Sequence, residues 1–511
     1  MTTNKPMRFV YNNDGGGCYA VDEPMDVLHL QQQVDMLVGT QVDTLCWNIG
    51  LPGAYRYDTK VSTRWGQGLA AMSQARFYRV RENLEALLRR GIDPLAVVLD
   101  RGRAKGVRVY PSVRISDCQM GGDLDPLNRE HPEWRIGEHP RHGPSAGINC
   151  DSYLSQLDCA RPEVRDRLVA VAAELLDRYH VEGIELDFQR RPHFFKPDQA
   201  VANRHLMTDM LRRIRAASRR AGEAAGRPVE ILCRIWMDLS DCWNLGLDVR
   251  TWVAEGLIDV LIPTNHYFFA LDYPVEEHVA LAAGTPVDVV VAYCPVLNQL
   301  PRGEYPELWS VRTAAGRPVD VEVPYVITNE MWQAAAHTAY TKGADGLAIF
   351  NFNLIPRCGG RWDLSLLNEL ADPAGVARQN KCYPYLTGES RNRPQALGDD
   401  PVAYALYVAD DPTGVSSVTL QVYITQTTVR DRISFHLNGR ELAMTRRLTR
   451  TDTTDGLQAA EVDPHHFFEC ELTEDQVHQG ANELIIRLLE RNPELRSPLT
   501  VVGVNIEVAM P

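Results

Sequence analysis

The stretch "VEGIELDFQRR" at positions 181–191 decides the fold, because it sets charged side chains into an otherwise apolar strand. Side chains alternate across a strand, so Glu185, Asp187 and Gln189 share one face and the apolar residues share the other. The apolar face would pack on helices. The polar face would point into a barrel, and the end of the strand would line the mouth of that barrel. The stretch therefore fits either a catalytic floor or a hydrogen-bonded core.

Strand-like apolar runs alternate with helical patterns through the first 371 residues. The eight predicted strands cover residues 7–13, 42–50, 106–116, 181–188, 229–236, 258–267, 287–296 and 343–353. Strands and helices that alternate in this number favour an α/β fold of the (β/α)8 TIM-barrel type over an open sheet. An open sheet would usually carry a Gly-rich loop for a dinucleotide or phosphate after its first strand. The segment "NNDGGGCYA" at 12–20 lacks the spacing of such a loop.

The C-terminal part of the chain has a different pattern of apolar and polar residues. Residues 372–397 show no clear periodicity and are predicted to be a linker. Short strands at close spacing follow, and Asn438-Gly439 is a strong hairpin signal. We therefore expect a barrel over residues 1–371 and an all-β sandwich over 398–511, which would act as an accessory domain.

Composition narrows the classes of partner. The net charge of −14 over 511 residues argues against a nucleic acid and against an anionic membrane surface. No stretch approaches the ~20 apolar residues of a membrane helix, and the N-terminus has no apolar core of a secretion signal. The eleven cysteines are scattered without a CxxC pair, which favours free thiols in a reducing compartment. We expect a cytoplasmic protein without metal or cofactor, and a homo-oligomer is compatible with the sequence.

Polar and aromatic side chains follow most of the predicted strands, as a mouth that binds a polyhydroxylated ligand requires. Tryptophan faces cover the apolar side of a sugar, and amides and carboxylates bond its hydroxyl groups. The predicted substrate-binding residues are Asn12, Trp47, Arg114, Glu185, Gln189, Arg190, Trp236, Asn265, His266 and Asn351. Two other interpretations stay open. The polar residues fit any barrel mouth, since all such mouths are polar. Glu185, one layer deeper, also fits a residue that positions its neighbours through hydrogen bonds.

Several motifs resemble the glycosyl-hydrolase-like barrels near the "family 10-like" hydrolases. The motifs are "YRYDTKVSTRWG" (55–66), "HPEW" (131–134), "LDCARPEVRDRL" (157–168), "RYHVEGIELDFQRRPHFF" (178–195) and "GADGLAIFNF" (343–352). The pairing of "ARPEVRD" with "VEGIELDF" is the most specific part. This resemblance spans most of residues 7–370. It implies a (β/α)8 barrel that acts on glycosides, with the acid of strand four as a catalytic group, and it implies no particular sugar.

Strand four is also loosely similar to the DGxDxDxE pattern of the family-18 chitinases. Glu182, Glu185, Asp187 and Gln189 stand at the matching positions. In that family the final Glu donates the proton. A glutamine cannot donate a proton as an acid does, so the chitinase mechanism is not carried over. A second carboxyl group would have to come from another strand.

Glycoside hydrolysis generally needs two carboxyl groups, about 5–5.5 Å apart for retention and roughly 6.5–9.5 Å apart for inversion. We expect Asp187 to be one of them. Asp238 and Glu330 are predicted for the second, although Asp238 also fits a loop cap and Glu330 a first helical turn, where a carboxylate suits the helix dipole. Further candidates left open are Asp14, Asp117 and Asp241.

The predicted function is therefore a glycoside hydrolase with a carbohydrate as its partner. One alternative is a carbohydrate-binding barrel without hydrolysis, which Gln189 favours. The other is a TIM-barrel lyase or isomerase, which a metal held by Asp187 and His266 would indicate.

Overall fold

The computed structural model describes residues 7–117, 129–137, 156–190, 193–265, 269–295, 311–312, 318–319, 327–350, 352, 364–386, 391–448 and 466–511. The chain divides into two compact units. The barrel unit comprises residues 1–266, 274–292 and 342–352. The sheet unit comprises residues 267–273, 293–341 and 353–511.

Eight strands form a closed parallel barrel, which confirms the predicted (β/α)8 fold. They are β1 (Arg8–Asn13), β2 (Thr44–Asn48), β3 (Arg108–Arg114), β4 (Gly183–Asp187), β5 (Glu230–Trp236), β6 (Val260–Thr264), β7 (Asp288–Tyr293) and β8 (Gly346–Phe350). Neighbours in the chain are neighbours in the barrel, and β1 pairs with β8 to close it. All carboxyl ends therefore meet at one mouth.

Helices of the barrel unit occupy the connections between its strands. They are α1 (Leu28–Asp35), α2 (Ala75–Arg89), α3 (Pro94–Lys105), α4 (Pro162–Arg178), α5 (Ala200–Ala225), α6 (Leu239–Asn244), α7 (Val249–Ala254) and α8 (Val275–Ala282). Local chemistry fixes their ends. The Asp93 side chain accepts a hydrogen bond from Leu95 N at the start of α3, and Gly106 ends that helix in the left-handed conformation.

The sheet unit contains two further helices and two antiparallel sheets. The helices are α9 (Asn329–Thr341) and α10 (Pro373–Ala377). The strands are β9 (Lys381–Pro384), β10 (Gln395–Leu397), β11 (Val402–Val408), β12 (Ser417–Thr425), β13 (Arg432–Leu437), β14 (Arg440–Glu441), β15 (Thr445–Leu448), β16 (His466–Leu472), β17 (Gly480–Glu490) and β18 (Leu499–Ala509). A two-residue ladder, Val311–Arg312 with Pro318–Val319, lies outside these sheets.

The two sheets confirm the predicted C-terminal sandwich. One has the order β9-β18-β12-β16-β15, with β10 also paired to β18, and the other has the order β11-β17-β13-β14. The ring centroids of Phe435 and Phe468, one from each sheet, lie 5.0 Å apart. Asn438 and Gly439 both have positive φ in the turn between β13 and β14, as the hairpin signal predicts. Strands β9 and β10 lie within residues 372–397, for which the sequence predicts a linker.

A tyrosine ring fills the middle of the barrel. Tyr110 of β3 is buried among apolar residues from the other strands. A Cβ on Gly183 would come within 2.3 Å of this ring, so β4 needs glycine here to make room for it. Glu185 and Asp187, on the same face of β4, lie above the ring toward the mouth.

A second cluster of charges occupies the amino-terminal end of the barrel, opposite the mouth. Arg8 donates to Glu230 at 2.5 and 3.0 Å and to Asp288 at 2.6 Å. The Tyr110 hydroxyl donates to Glu230 at 2.8 Å. Burial works to raise the pKa of Glu230, but the hydrogen bonds and charge of Arg8 outweigh burial and lower that pKa.

We expect Arg8→Ala to lower the free energy of unfolding by about 3 kcal/mol, because it removes the cation that bonds buried Asp288 and one of the two cations beside half-buried Glu230, which keeps Arg108 Nη1 at 3.9 Å. Urea unfolding followed by circular dichroism measures this change. Arg212→Ala removes a bidentate pair with Glu255 that is exposed to solvent, and it should cost far less. Equal losses in the two variants would contradict a special role for the Arg8 cluster.

Candidate active site

The register of the parallel strands places Asp187 between two arginines, Arg114 on β3 and Arg234 on β5. Arg234 Nη2 donates to Asp187 Oδ2 at 2.5 Å, and Arg114 Nε lies 3.8 Å from the same oxygen. The other oxygen accepts the backbone N–H groups of Gln189 and Arg190, both at 3.0 Å. Asp187 is 0% exposed. Both carboxylate oxygens therefore have strong partners at the carboxyl end of β4.

Glu185 lies one layer deeper, as the sequence predicts. Its Oε2 accepts a hydrogen bond from Asn12 Nδ2 at 2.6 Å, and its Oε1 lies 3.9 Å from Arg234 Nε. Burial raises the pKa of Glu185; the Arg234 charge opposes that rise and the Asp187 charge adds to it. Glu185 thus connects the side chains at the ends of β1 and β5 to one buried carboxyl group.

Arg114 extends the cluster toward the loops that follow β1 and β3. It donates to Asp14 and, at 2.8 Å, to Asp117 Oδ2. Arg190 Nε lies 3.8 Å from the same oxygen of Asp117. The Asp14 side chain is 42% exposed, whereas the Asp117 side chain is fully buried. Asp14 is therefore the solvent-exposed member of this network.

Arg56 holds the loop after β1 in place, and it was not among the predicted site residues. Its Nη2 donates to the carbonyl oxygens of Asp14 (2.6 Å) and Asn48 (2.9 Å) and to Asn48 Oδ1 (2.7 Å). Gly15 has a φ of +64°, and a Cβ there would lie 2.3 Å from the Asn48 carbonyl oxygen. This close approach requires glycine. Gly15 of the triple-glycine segment thus allows this loop to pack closely. The motif "YRYD" (55–58) contains Arg56 and is the sequence feature that could have drawn attention to it.

The loop after β5 brings Trp236 and Asp238 to the same end of the barrel, both half-buried. Asp238 occupies the N-cap position of α6, but its side chain accepts no cap hydrogen bond. His278 Nε2 lies 2.7 Å from the Met237 carbonyl oxygen. Burial lowers the pKa of His278, so its neutral imidazole donates this bond. His278, on α8, is a second residue that sequence reasoning missed.

Gln189 is a buried polar residue with an unusual environment. It is 0% exposed, and neither its side-chain nitrogen nor its side-chain oxygen has a hydrogen-bond partner among the residues that the structure describes. A buried amide usually has hydrogen-bond partners, so this side chain is a candidate to bond a ligand at the mouth.

The predicted site residues have different placements. Asn12, Arg114, Glu185, Asp187 and Arg190 come together in the charged cluster, and Gln189 lies next to it in the chain. Trp236 and Asn265 lie at the ends of β5 and β6. Trp47 is buried on the face of β2 opposite Cys46, which points into the barrel, so Trp47 is not in the cluster. Glu330 lies exposed in the first turn of α9, in the sheet unit. His266 and Asn351 lie outside the described residues.

Within the described part of the chain, no group of three or more His, Cys, Asp or Glu side chains is arranged to hold a metal ion. No helix there is both long enough and apolar enough to cross a membrane.

The closed barrel and a family match over part of the chain make this protein similar to the glycosyl-hydrolase-like barrels. Residues 25–205, which include β2, β3 and β4, match the model of the family "Glycosyl hydrolase-like 10". This confirms the resemblance that the motifs indicate.

Individual relatives are more distant. Glycosyl hydrolase DigH of Escherichia coli (strain K12) is 28% identical over 100 residues, which make up 19% of this chain and 22% of DigH. The match thus spans about a fifth of that protein.

Two solved structures resemble this chain at a low level. Chitinase ChiW from Paenibacillus sp. str. FPU-7 matches with 10% identity and a TM-score of 0.42, over 97% of this chain and 53% of ChiW. Alpha-L-fucosidase isoenzyme 2 from Paenibacillus thiaminolyticus matches with 13% identity and a TM-score of 0.38, over 73% of this chain and 49% of the fucosidase. Similarity at this level carries no argument about activity.

The raised pKa of Glu185 predicts a pH dependence of stability. Folding takes up a proton at this carboxyl group, so its contribution is complete below the ordinary carboxyl pKa and is lost as the pH rises through the raised one. Glu185→Gln keeps an acceptor for Asn12 and removes this titration. Urea unfolding at several values between about pH 4 and pH 8 should give a wild type that loses stability relative to the variant as the pH rises. A constant difference across that range would contradict the prediction.

Proposed function

We propose that this barrel is a glycoside hydrolase whose reaction takes place at the carboxyl ends of β1, β3, β4 and β5. One observation carries the proposal: Asp187 is held at the mouth by two arginines that face it in register from both neighbouring strands. Catalytic residues of such barrels come from the ends of several strands, and glycoside hydrolysis generally uses two carboxyl groups. The match to a glycosyl-hydrolase-like family supports the same class of reaction.

In this proposal Asp187 supplies the carboxylate that faces the reacting sugar. Arg234 and the N–H groups of Gln189 and Arg190 all donate to it, so its negative charge has preorganised partners. A carboxylate of this kind suits stabilisation of, or attack on, the positive charge that develops at the sugar carbon.

Asp238 is our candidate for the proton donor. It follows the neighbouring strand β5 and is half-buried. The bond from His278 to the Met237 carbonyl oxygen holds this loop. Glu330, the other sequence-predicted candidate, lies in the sheet unit and receives no support from the geometry of the barrel cluster.

A carbohydrate-binding barrel without hydrolysis is the second candidate, and two observations favour it. Asp187 is fully buried, and Gln189 stands at the position where the chitinase pattern has its acid. The buried amide of Gln189, which has no hydrogen-bond partner among the described residues, can bond a sugar hydroxyl or acetamido group.

Asp187→Asn tests the hydrolase directly. We expect turnover of a panel of aryl glycosides and polysaccharides to fall by about 10²–10⁴-fold, because the charge at the mouth is lost. Asp288→Asn is the matched control, since Asp288 is also a buried aspartate paired with an arginine but lies at the opposite end of the barrel. It should lower stability and leave turnover per folded molecule intact. Equal turnover in Asp187→Asn and wild type would overturn the assignment, and binding without any turnover would favour the second candidate.

The role of Asp238 predicts a dependence on the leaving group. A nitrophenolate leaves without much help from an acid, whereas a sugar alkoxide needs a proton. Asp238→Asn should therefore slow polysaccharide hydrolysis by about 10²-fold or more while it affects nitrophenyl glycosides much less. Asp241→Asn, a half-buried carboxylate on the same helix, is the control and should affect both substrates little. Equal slowing of both substrates by Asp238→Asn would sink the proton-donor role.

A further inference from the structure

Trp243 is a solvent-exposed tryptophan close to the barrel mouth. It lies on α6, whose first residue, Leu239, is three residues after the end of β5, and 38% of its surface is exposed. Three extended residues and four helical steps of about 1.5 Å place its Cα at most ~17 Å from the strand end. A partly exposed indole offers an apolar face to a ligand.

An arginine already covers part of this indole. Arg204 Cζ lies 4.4 Å from the ring centroid. Arg204 Nη1 donates to the Val201 carbonyl oxygen at 2.7 Å, and Arg204 Nε lies 4.0 Å from Asp248 Oδ2. The guanidinium is thus held from two sides while it stacks on the ring, and the ring is held with it.

The helix under the indole is also firmly attached. Cys242 Sγ lies 3.3 Å from the Trp236 carbonyl oxygen, which joins α6 to the end of β5. Gly246 has a φ of +83°, and a Cβ there would lie 2.6 Å from the Ala200 carbonyl oxygen. The turn after α6 therefore packs directly on the start of α5, the helix that carries Arg204. Because ring, guanidinium and helix are fixed in advance, a ligand that stacks on Trp243 loses little freedom on binding.

We propose that Trp243, supported by Arg204, is a subsite that stacks against a sugar ring of an oligosaccharide several units from the one in the barrel mouth. The apolar C–H face of a pyranose fits an exposed aromatic ring, and the adjacent guanidinium can donate to its hydroxyl groups. The inference rests on the proposed carbohydrate function of the mouth. It adds a preference for extended chains over single sugars, which the charged cluster alone does not give.

Calorimetric binding of cello-oligosaccharides and chitin oligosaccharides of about two to six units tests this subsite, with Asp187→Asn as the background to prevent turnover. In the longer members, Trp243→Ala should weaken binding about tenfold, and in the shortest members it should have little effect. Trp243→Phe should restore part of the loss. Arg204→Lys, which keeps the charge and loses the flat stack, should give an intermediate loss for the longer members.

Tyr78→Ala is the matched control, because Tyr78 is 45% exposed and Arg81 stacks on it in the same manner, on α2. It should leave the dependence on chain length unchanged, and thermal unfolding confirms that every variant is folded. Equal affinity of Trp243→Ala and its parent for all lengths overturns the subsite, as does an equal loss at every length or a parent that binds neither series. A length effect in a protein without hydrolytic turnover keeps the subsite and refutes the hydrolase instead.

Discussion

Asp187 can be a buried carboxylate at the mouth only because arginines stand beside it. Parallel register puts Arg114 and Arg234 on either side of Asp187, and Arg234 also approaches Glu185. An isolated buried charge is too costly to keep, so these residues are interdependent. The position of the loops that follow β1, β3 and β4 depends on the same pairs, since the cluster holds Asp14, Asp117 and the backbone of residues 189–190. Ion pairs and charge-assisted hydrogen bonds thus determine most of the geometry of the mouth.

The fold was predictable because two periodicities determine it. Apolar runs of strand length, separated by helical patterns, specify eight parallel strands, and parallel strands in that number close into a barrel. The alternation within residues 184–188 specifies which side chains enter the barrel, and Glu185 and Asp187 do so. The hairpin at Asn438-Gly439 was equally readable, because both residues accept positive φ.

The partners of these side chains were not predictable to the same degree. Strand register depends on the whole barrel, so sequence alone could not pair Asp187 with Arg234 or Arg8 with Glu230, residues far apart in the chain. Trp47 appeared suitable for the mouth by residue type, but the alternation of β2 turns it toward the opposite face from Cys46. His278 and Arg56 act through backbone carbonyl oxygens, and such contacts leave no motif. Strands β9 and β10 have few residues and no alternation long enough to recognise.

The Tyr110 ring limits the depth of the barrel mouth. It fills the barrel where β4 has Gly183, and its hydroxyl bonds Glu230 on the far side. A continuous apolar layer therefore separates the two charged ends and gives the mouth a fixed depth. A ligand bound at the mouth would therefore rest on this layer and would not reach the charges around Arg8.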